Sequence, residues 1–435
     1  MNPSYKQFIF EDYSFDEKVR ALELHYSLDG AVQFTERFHF DFELRDYDHA
    51  ALDRACQALF FMAGVSYYKT YLAPEIIIKK GDVDPYMASF FSKTYQKGLG
   101  EFFFTNHLDP STPIEFPHTV EQAVTPANPT NPRGYLIGLG GGKDSLVSVE
   151  LLRYEVEDIA TWSLNHRAQL TPLSERTDLP HYFVDREWDR SLLEHNNMGA
   201  LNGHVPISAI IACVGSIVAV LTNRQDVVVS NEQSANEPTL FVNNIAINHQ
   251  YSKSQEFELD YQNFLSHTLG SNVRYYSFLR PLSEVYIAEL FSKIGFTKYK
   301  DVFSSCNRAF VHTSDHLFWD GSCSKCAFFF LAMTPFTQRS ELEKLFSGKN
   351  LLLTPELEMT YKQLLGIEGD KPLDCIGDIK ESRAAMRLAQ KQYPELVDKY
   401  TFDIPEDYNY QSLGSHQMPE NIYKILTSGL IRPQN

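Results

Sequence analysis

The stretch Gly138-Leu139-Gly140-Gly141-Gly142-Lys143-Asp144-Ser145 brings three consecutive glycines together with a cation, a carboxylate and a hydroxyl. Those residue types suit a polyphosphate. Gly134 to Leu139 reads as a short apolar strand, and Leu146, Val149 and Leu152 recur at helical spacing, so the glycines fall at a strand-to-helix turn. Backbone N–H groups at a helix start have no internal partners, and glycine lets them approach an anion closely. Two common phosphate loops do not fit. G-x-x-x-x-G-K-[ST] requires glycine at Ile137 and a hydroxyl at Asp144, and G-x-G-x-x-G begun at Gly138 requires glycine at Lys143. A carboxylate next to bound phosphates needs a bridging divalent cation, so Asp144 points to Mg²⁺. Without a nucleotide, the same letters describe a glycine-rich turn with a solvated Lys-Asp pair.

Four further groups carry chemistry. "SNEQSANEP" (Ser230 to Pro238) concentrates Asn231 and Glu232; "INHQYSKSQEFE" (Ile247 to Glu258) offers His249 and Lys253; Arg280 in "FLRPLSE" is suited to a bidentate anion contact. Cys323-x-x-Cys326 has the spacing of a zinc half-site, with Cys306 upstream. As isolated signals, the polar clusters equally describe ordinary loops, and the thiols equally describe buried free cysteines or proton carriers.

The elements that must hold these groups are legible. Gln7 to Tyr13, Arg20 to Tyr26 and Gln33 to Glu43 read as strands, with a Leu28-Asp29-Gly30 turn between two of them and a helix over Ala50 to Ala63. Pro110, Pro113, Pro117, Pro126, Pro129 and Pro132 then mark a linker. Strand-like runs recur at Ile159 to Leu164, His181 to Val184, Val227 to Ser230 and Tyr275 to Leu279 with helical stretches between, and Ile207 to Leu221 reads as a buried helix. This alternation predicts an α/β fold with a doubly wound, mostly parallel sheet, whose ligands bind at the carboxyl ends of the strands. The expected organisation is an N-terminal α+β domain over 1–108, the linker over 109–132, the nucleotide domain over 133–335 and a mostly helical region over 336–435, including helices over Arg339 to Phe346 and Glu381 to Gln392.

Composition narrows the partners. At 435 residues with 43% hydrophobic content the chain can bury sizeable cores. A net charge of −17 argues against a nonspecific nucleic-acid binder. No basic, apolar leader opens the chain, the longest apolar run is too short to span a bilayer, and six cysteines in this length make no disulfide scaffold; the expectation is a cytoplasmic protein with reduced thiols and no membrane partner.

Gly140 to Ser145 resembles the S-G-G-x-D-S loop of the ATP pyrophosphatases (the PP-loop superfamily), which cleave ATP between the α and β phosphates and activate a substrate oxygen as its adenylate. Gly140 stands where that pattern has serine, so one hydroxyl donor is missing. Deazapurine synthases of that superfamily carry a zinc loop in which C-x-x-C-x-x-C follows an upstream cysteine, which places Asp320 at a cysteine position and implies Cys306, Asp320, Cys323 and Cys326 as ligands. In the order "GLGGGKDS", "NGHVPISAI", "SNEQSANEP", "INHQYSKS", "RPLSE", "SCN" and "CSKC", the chain resembles the family of ATP-dependent UDP-N-acetylmuramoyl-L-alanyl-L-glutamate epimerases (MurL). The resemblance implies ATP and Mg²⁺ as cofactors, zinc at the thiols, and a UDP-MurNAc-dipeptide substrate whose terminal glutamate is inverted. It further implies Lys143 and the loop amides on phosphate, Asp144 on Mg²⁺, Asn231, Glu232 and Arg280 around the nucleotide, and His249, Lys253 and Cys306 as candidates for the proton steps. The N-terminal domain would recognise the UDP-sugar. Two alternatives stay open: a deazapurine-type or tRNA-modifying ATP pyrophosphatase, and a noncatalytic nucleotide-binding module.

Overall fold

The computed structural model describes residues 5–237, 240–242, 245–310 and 314–431; Pro238, which closes the first polar cluster, lies outside the described residues. The strands are β1 (Gln7–Asp16), β2 (Ala21–Leu28), β3 (Val32–Phe40), β4 (Glu75–Ile78), β5 (Tyr135–Gly138), β6 (Ile159–Leu164), β7 (His181–Glu187), β8 (Asp226–Val229), β9 (Leu240–Val242), β10 (Ile245–Ile247) and β11 (Arg274–Ser277). Nine of them form one sheet in the order β11-β8-β5-β6-β7-β3-β2-β1-β4, and β9 and β10 form a separate ribbon. The fold is α/β. Within β11-β8-β5-β6-β7 the strand order reverses between β5 and β8.

The expectation of a mostly parallel sheet needs amendment for the N-terminal strands. β1 pairs antiparallel with β2, β2 with β3 and β3 with β7, and β4 joins parallel to β1, so the sheet is mixed. The β2–β3 hairpin turns at Asp29 and Gly30, both at positive φ (51° and 68°), the backbone a two-residue turn requires to match strand twist. The Asp29 carboxylate accepts from the N–H groups of Lys6 (2.9 Å) and Gln7 (2.7 Å), fixing the start of β1.

The chain divides into two compact units, one formed by 1–136, 182–227 and 238–276, the other by 137–181, 228–237 and 277–435. In the first unit, Phe8, Phe10, Tyr26, Phe60 and Phe61 form a buried aromatic core against the helix His49–Ala63. That helix packs on Ile207–Leu221, which is apolar nearly all round and buried, as its sequence predicts. No helix or strand occurs between Thr105 and Tyr135, the proline-rich stretch. In the second unit, the helix Glu284–Ile294 packs against both Lys143–Leu152 and Ser324–Met333. The described chain beyond Ser324 is built of helices, including Arg339–Leu345 and Ile379–Ala389. No helix of the described residues is long and apolar enough to cross a membrane.

Candidate functional site

In the second unit the glycine loop follows β5 and opens the helix Lys143–Leu152. Gly142 is the N-cap, and no side chain caps the helix, so its first N–H groups are left to an exogenous acceptor or water. The three glycines are not equivalent. Gly141 has φ +90°, and a Cβ there would lie 3.1 Å from Phe310 and 3.3 Å from Leu317; a Cβ on Gly142 would meet Ser305 Oγ at 2.8 Å; a Cβ on Gly140 would meet nothing within 4 Å. Ser145 Oγ donates to the Gly142 carbonyl at 3.2 Å.

Lys143 is buried, and its ammonium bonds Asp144 Oδ1 at 2.5 Å and Glu284 Oε2. Burial works against its charge, but Asp144 and then Glu284 more than offset that and hold it above the ordinary lysine range. Glu284 reaches it from the first turn of Glu284–Ile294, a helix capped by Ser283, whose Oγ accepts from Tyr286 N at 3.1 Å. Burial pushes the Glu284 carboxyl up, Lys143 pulls it down, and Asp144 and Glu232 push it further up. Glu381 lies behind, accepting from Glu284 N at 2.8 Å and from Asp378 N at 2.7 Å; burial, reinforced by Asp378 and Glu232, pushes it up to about 8. Glu232 is buried, and its carbonyl accepts from Arg280 Nη1 at 2.8 Å. Arg280 is fully buried, so it braces the Glu232 segment. The Asn231 carbonyl is likewise held, by Ser277 Oγ at 2.6 Å.

The thiols converge in the same unit. Cys306 Sγ lies 3.8 Å from Cys323 Sγ and 3.5 Å from Asp320 Oδ1; Cys326 Sγ lies 3.4 Å from Cys323 Sγ and 3.6 Å from Asp320 Oδ1. Tetrahedral zinc, with Zn–S near 2.3 Å and Zn–O near 2.0 Å, separates its ligands by about 3.5 to 3.8 Å, so these four atoms fit the ion. Hydrogen bonds from Cys306 and Cys326 hold the Cys323 thiol down to about 2, and its place as N-cap of Ser324–Met333 also favours a thiolate. The Asp320 carboxylate is oriented by Ser322 N at 2.9 Å and Arg308 Nη1 at 3.0 Å. None of the six cysteines is in a disulfide.

Three consecutive residues join this cluster to the glycine loop. Ser304 N donates to the Gly141 carbonyl at 3.0 Å, Ser305 Oγ faces Gly142, and Cys306 is a member of the thiol set.

His249 and Lys253 belong to the first unit. There Glu101, His204 and His249 bring one ligand atom each within 4.8 Å of one another. Glu101 Oε2 is bonded to His249 Nδ1 and lies 3.6 Å from His204 Nδ1, and the two imidazoles are 4.7 Å apart. Burial tends to raise the Glu101 carboxyl, but His249 and His204 hold it below its usual range. Burial, with His249 and Lys253 adding to it, lowers His204 to about 4.

Two family models cover most of this chain: the MurL N-terminal domain matches residues 1–278 and the MurL C-terminal domain matches 302–406. The chain belongs to the MurL family. Among MurL-family relatives, the UDP-N-acetyl-alpha-D-muramoyl-L-alanyl-L-glutamate epimerase of Xanthomonas oryzae pv. oryzae is 34% identical over 442 residues, covering 96% of each chain. The enzymes of the same name from Salinispora tropica and Micromonospora sp. are each 36% identical, over 88% of this chain and 85% and 87% of theirs.

The MurL N-terminal segment carries the glycine loop together with Glu101, His204 and His249, and the C-terminal segment carries the thiol cluster; Arg280 and Glu284 lie between the two matched ranges. The structure thus groups Gly140 to Ser145 with Glu232, groups Cys306 with Asp320, Cys323 and Cys326, and places His249 and Lys253 in the other unit. Sequence reasoning quoted Glu284 and His204 within motifs without giving them a role, and it missed Glu381 and Glu101. Glu284 was within reach: it follows Ser283, a helix-capping type, at the start of an apolar-periodic run, which places its side chain in a helical first turn. Nothing local marks Glu101.

Proposed function

We propose that this protein inverts the terminal L-glutamate of UDP-MurNAc-L-Ala-L-Glu to the D form in an ATP-dependent reaction, releasing AMP and pyrophosphate, in the cytoplasm. The observation that carries the reading is the match, end to end, to relatives named for that epimerisation. The glycine loop supports the nucleotide half of it. On a PP-loop reading, the uncapped N–H groups of Lys143–Leu152 and the Lys143 ammonium hold the β and γ phosphates, with Lys143 exchanging its contact to Asp144 or Glu284 for phosphate oxygen. Mg²⁺ takes one or two carboxylates beside phosphate oxygens, and Asp144 fits that role. Bound there, the ion would neutralise phosphate charge. The substrate carboxylate attacks the α-phosphorus, the bond to the bridging oxygen breaks, and pyrophosphate leaves. The glutamate carboxylate becomes a neutral mixed anhydride, so loss of the α-proton no longer adds charge to an anion.

A base removes that proton, an acid returns one to the opposite face, and water cleaves the adenylate. Cys306 is drawn into the thiol cluster and His249 into the cluster with Glu101 and His204, which leaves Lys253 as the candidate for a proton step. Residues 1–108 are proposed to recognise the UDP-sugar.

Incubation with ATP and the precursor in D₂O tests the reading. The product should carry deuterium at the glutamate α-carbon, and an α,β-nonhydrolysable ATP analogue should suppress both labelling and inversion. Inversion without ATP, or adenylation that returns only unlabelled L-glutamate product, would overturn it; the second result would instead indicate another ATP pyrophosphatase.

A further inference from the structure

We infer that Glu101, His204 and His249 form a second metal site, separate from the thiol cluster, that takes a divalent transition-metal ion of the zinc class. The three residues come from three distant stretches of chain, and close backbone packing holds each in place. Gly100 lies so near Ile247 that a Cβ would come within 3.3 Å of its Cγ2, which sets Glu101 beside the turn that carries His249. Gly203 is packed the same way on Phe102, 3.2 Å from where its Cβ would be, and Asn106 Nδ2 donates to the Asn202 carbonyl at 3.0 Å, which sets His204 over the short helix Gly100–Thr105 that carries Glu101. Lys69 Nζ clamps Asn202 Oδ1 at 3.0 Å. The result is two imidazole Nδ1 atoms aimed at one carboxylate oxygen.

Two histidines and one carboxylate are an established set for a catalytic metal, with remaining coordination positions open to water or substrate. Ligands at about 2.0 to 2.2 Å from a tetrahedral ion stand about 3.3 to 3.5 Å apart; the 3.6 Å between His204 Nδ1 and Glu101 Oε2 is close to this, and the Glu101 carboxyl would turn away from its direct contact with His249 to admit the ion. His204 Nδ1 and His249 Nδ1 face the same carboxylate oxygen, the convergence that a shared ion requires. One carboxylate and two neutral imidazoles leave a bound dication with net positive charge. Lys253, close to His204, adds to it, so the open position suits an anionic oxygen.

Cobalt(II) added to the chelator-stripped full-length protein tests the site. Two classes of cobalt are expected at about one equivalent each, one with thiolate charge-transfer bands and one with only the visible bands of nitrogen and oxygen ligation. Cys323→Ser should remove the first class and keep the second. Glu101→Gln and His249→Asn should each remove the second and keep the first, with an unchanged urea-unfolding profile of the metal-free protein showing that these variants are folded. Cobalt bound by the thiol class alone in the unmutated protein would overturn the inference. So would a second class undiminished in both Glu101→Gln and His249→Asn.

Discussion

Alanine placed at Gly140 or at Gly141 should give opposite results, although the two residues are adjacent. At Gly140 the backbone is not in the left-handed region, and a Cβ meets nothing within 4 Å. The substitution keeps every N–H group and restricts the unfolded chain, so the expected change is a stabilisation of about 0.4 to 1 kcal/mol. At Gly141, φ is +90°, and the new Cβ would lie 3.1 Å from the Phe310 ring and 3.3 Å from Leu317 Cδ1. Holding a non-glycine residue there costs about 1 to 3 kcal/mol, and the tight contacts add on the order of 1 kcal/mol, giving a loss of about 2 to 4 kcal/mol. Urea unfolding with a common slope measures both, and pyrophosphate release measures whether the loop still works. Gly140→Ala should cleave ATP at close to the unmutated rate, whereas Gly141→Ala should be impaired even at temperatures where it is folded. Gly140→Ser, which restores the hydroxyl of the superfamily pattern, meets no steric obstacle and should fold equally well. Equal losses at the two positions would refute the loop geometry and the reasoning drawn from it.

Asp144→Asn should abolish pyrophosphate release while the protein keeps its melting profile, because Lys143 retains Glu284 as a partner; full activity would exclude a metal-dependent loop. Cys323→Ser should lose about one zinc per chain by elemental analysis, together with thermal stability; a metal-free, equally stable unmutated protein would leave the thiols as packing. The folded-state rise of Glu381 to about 8 means the native chain binds its proton more tightly than the unfolded chain. The stabilisation it gives at acid pH is therefore lost as pH rises from the ordinary carboxyl range toward 8, and the unfolding free energy of Glu381→Gln should decline less steeply over that window than that of the unmutated protein.

How much of this was legible in the sequence depended on how far a residue's signal travels. The helix Ile207–Leu221 and the strand Ile159–Leu164 were bounded to the residue because a charge-free, mostly apolar run reports its own burial. The glycine loop was placed correctly at the end of a strand, since the residues before and after it each carry a period. The junction of β3 with β7 carries no such local mark. Arg37 pairs with Glu187 across a long separation in the chain, and neither strand's pattern names its neighbour. The same limit hid the buried side of the candidate site. Cys323 and Cys326 announce themselves by spacing, whereas Glu101, ahead of three phenylalanines, and His204 carry no ligand spacing and come together only where the chain closes on Ile247 and Phe102.

The run Ser304-Ser305-Cys306 ties the thiol cluster to the glycine loop within three consecutive residues. Ser304 is hydrogen-bonded to Gly141, and the next residue but one is a member of the thiol set, so the cluster and the glycine loop share one short segment. Drawing Cys323 and Cys326 from 3.4 Å to the bonding distance of a disulfide would take both sulfurs out of the set they form with Cys306 and Asp320. On the proposed function, an oxidant able to close that bond should weaken ATP binding and a reductant should restore it, which would make the redox balance of the surroundings a control on the energy supply of the reaction.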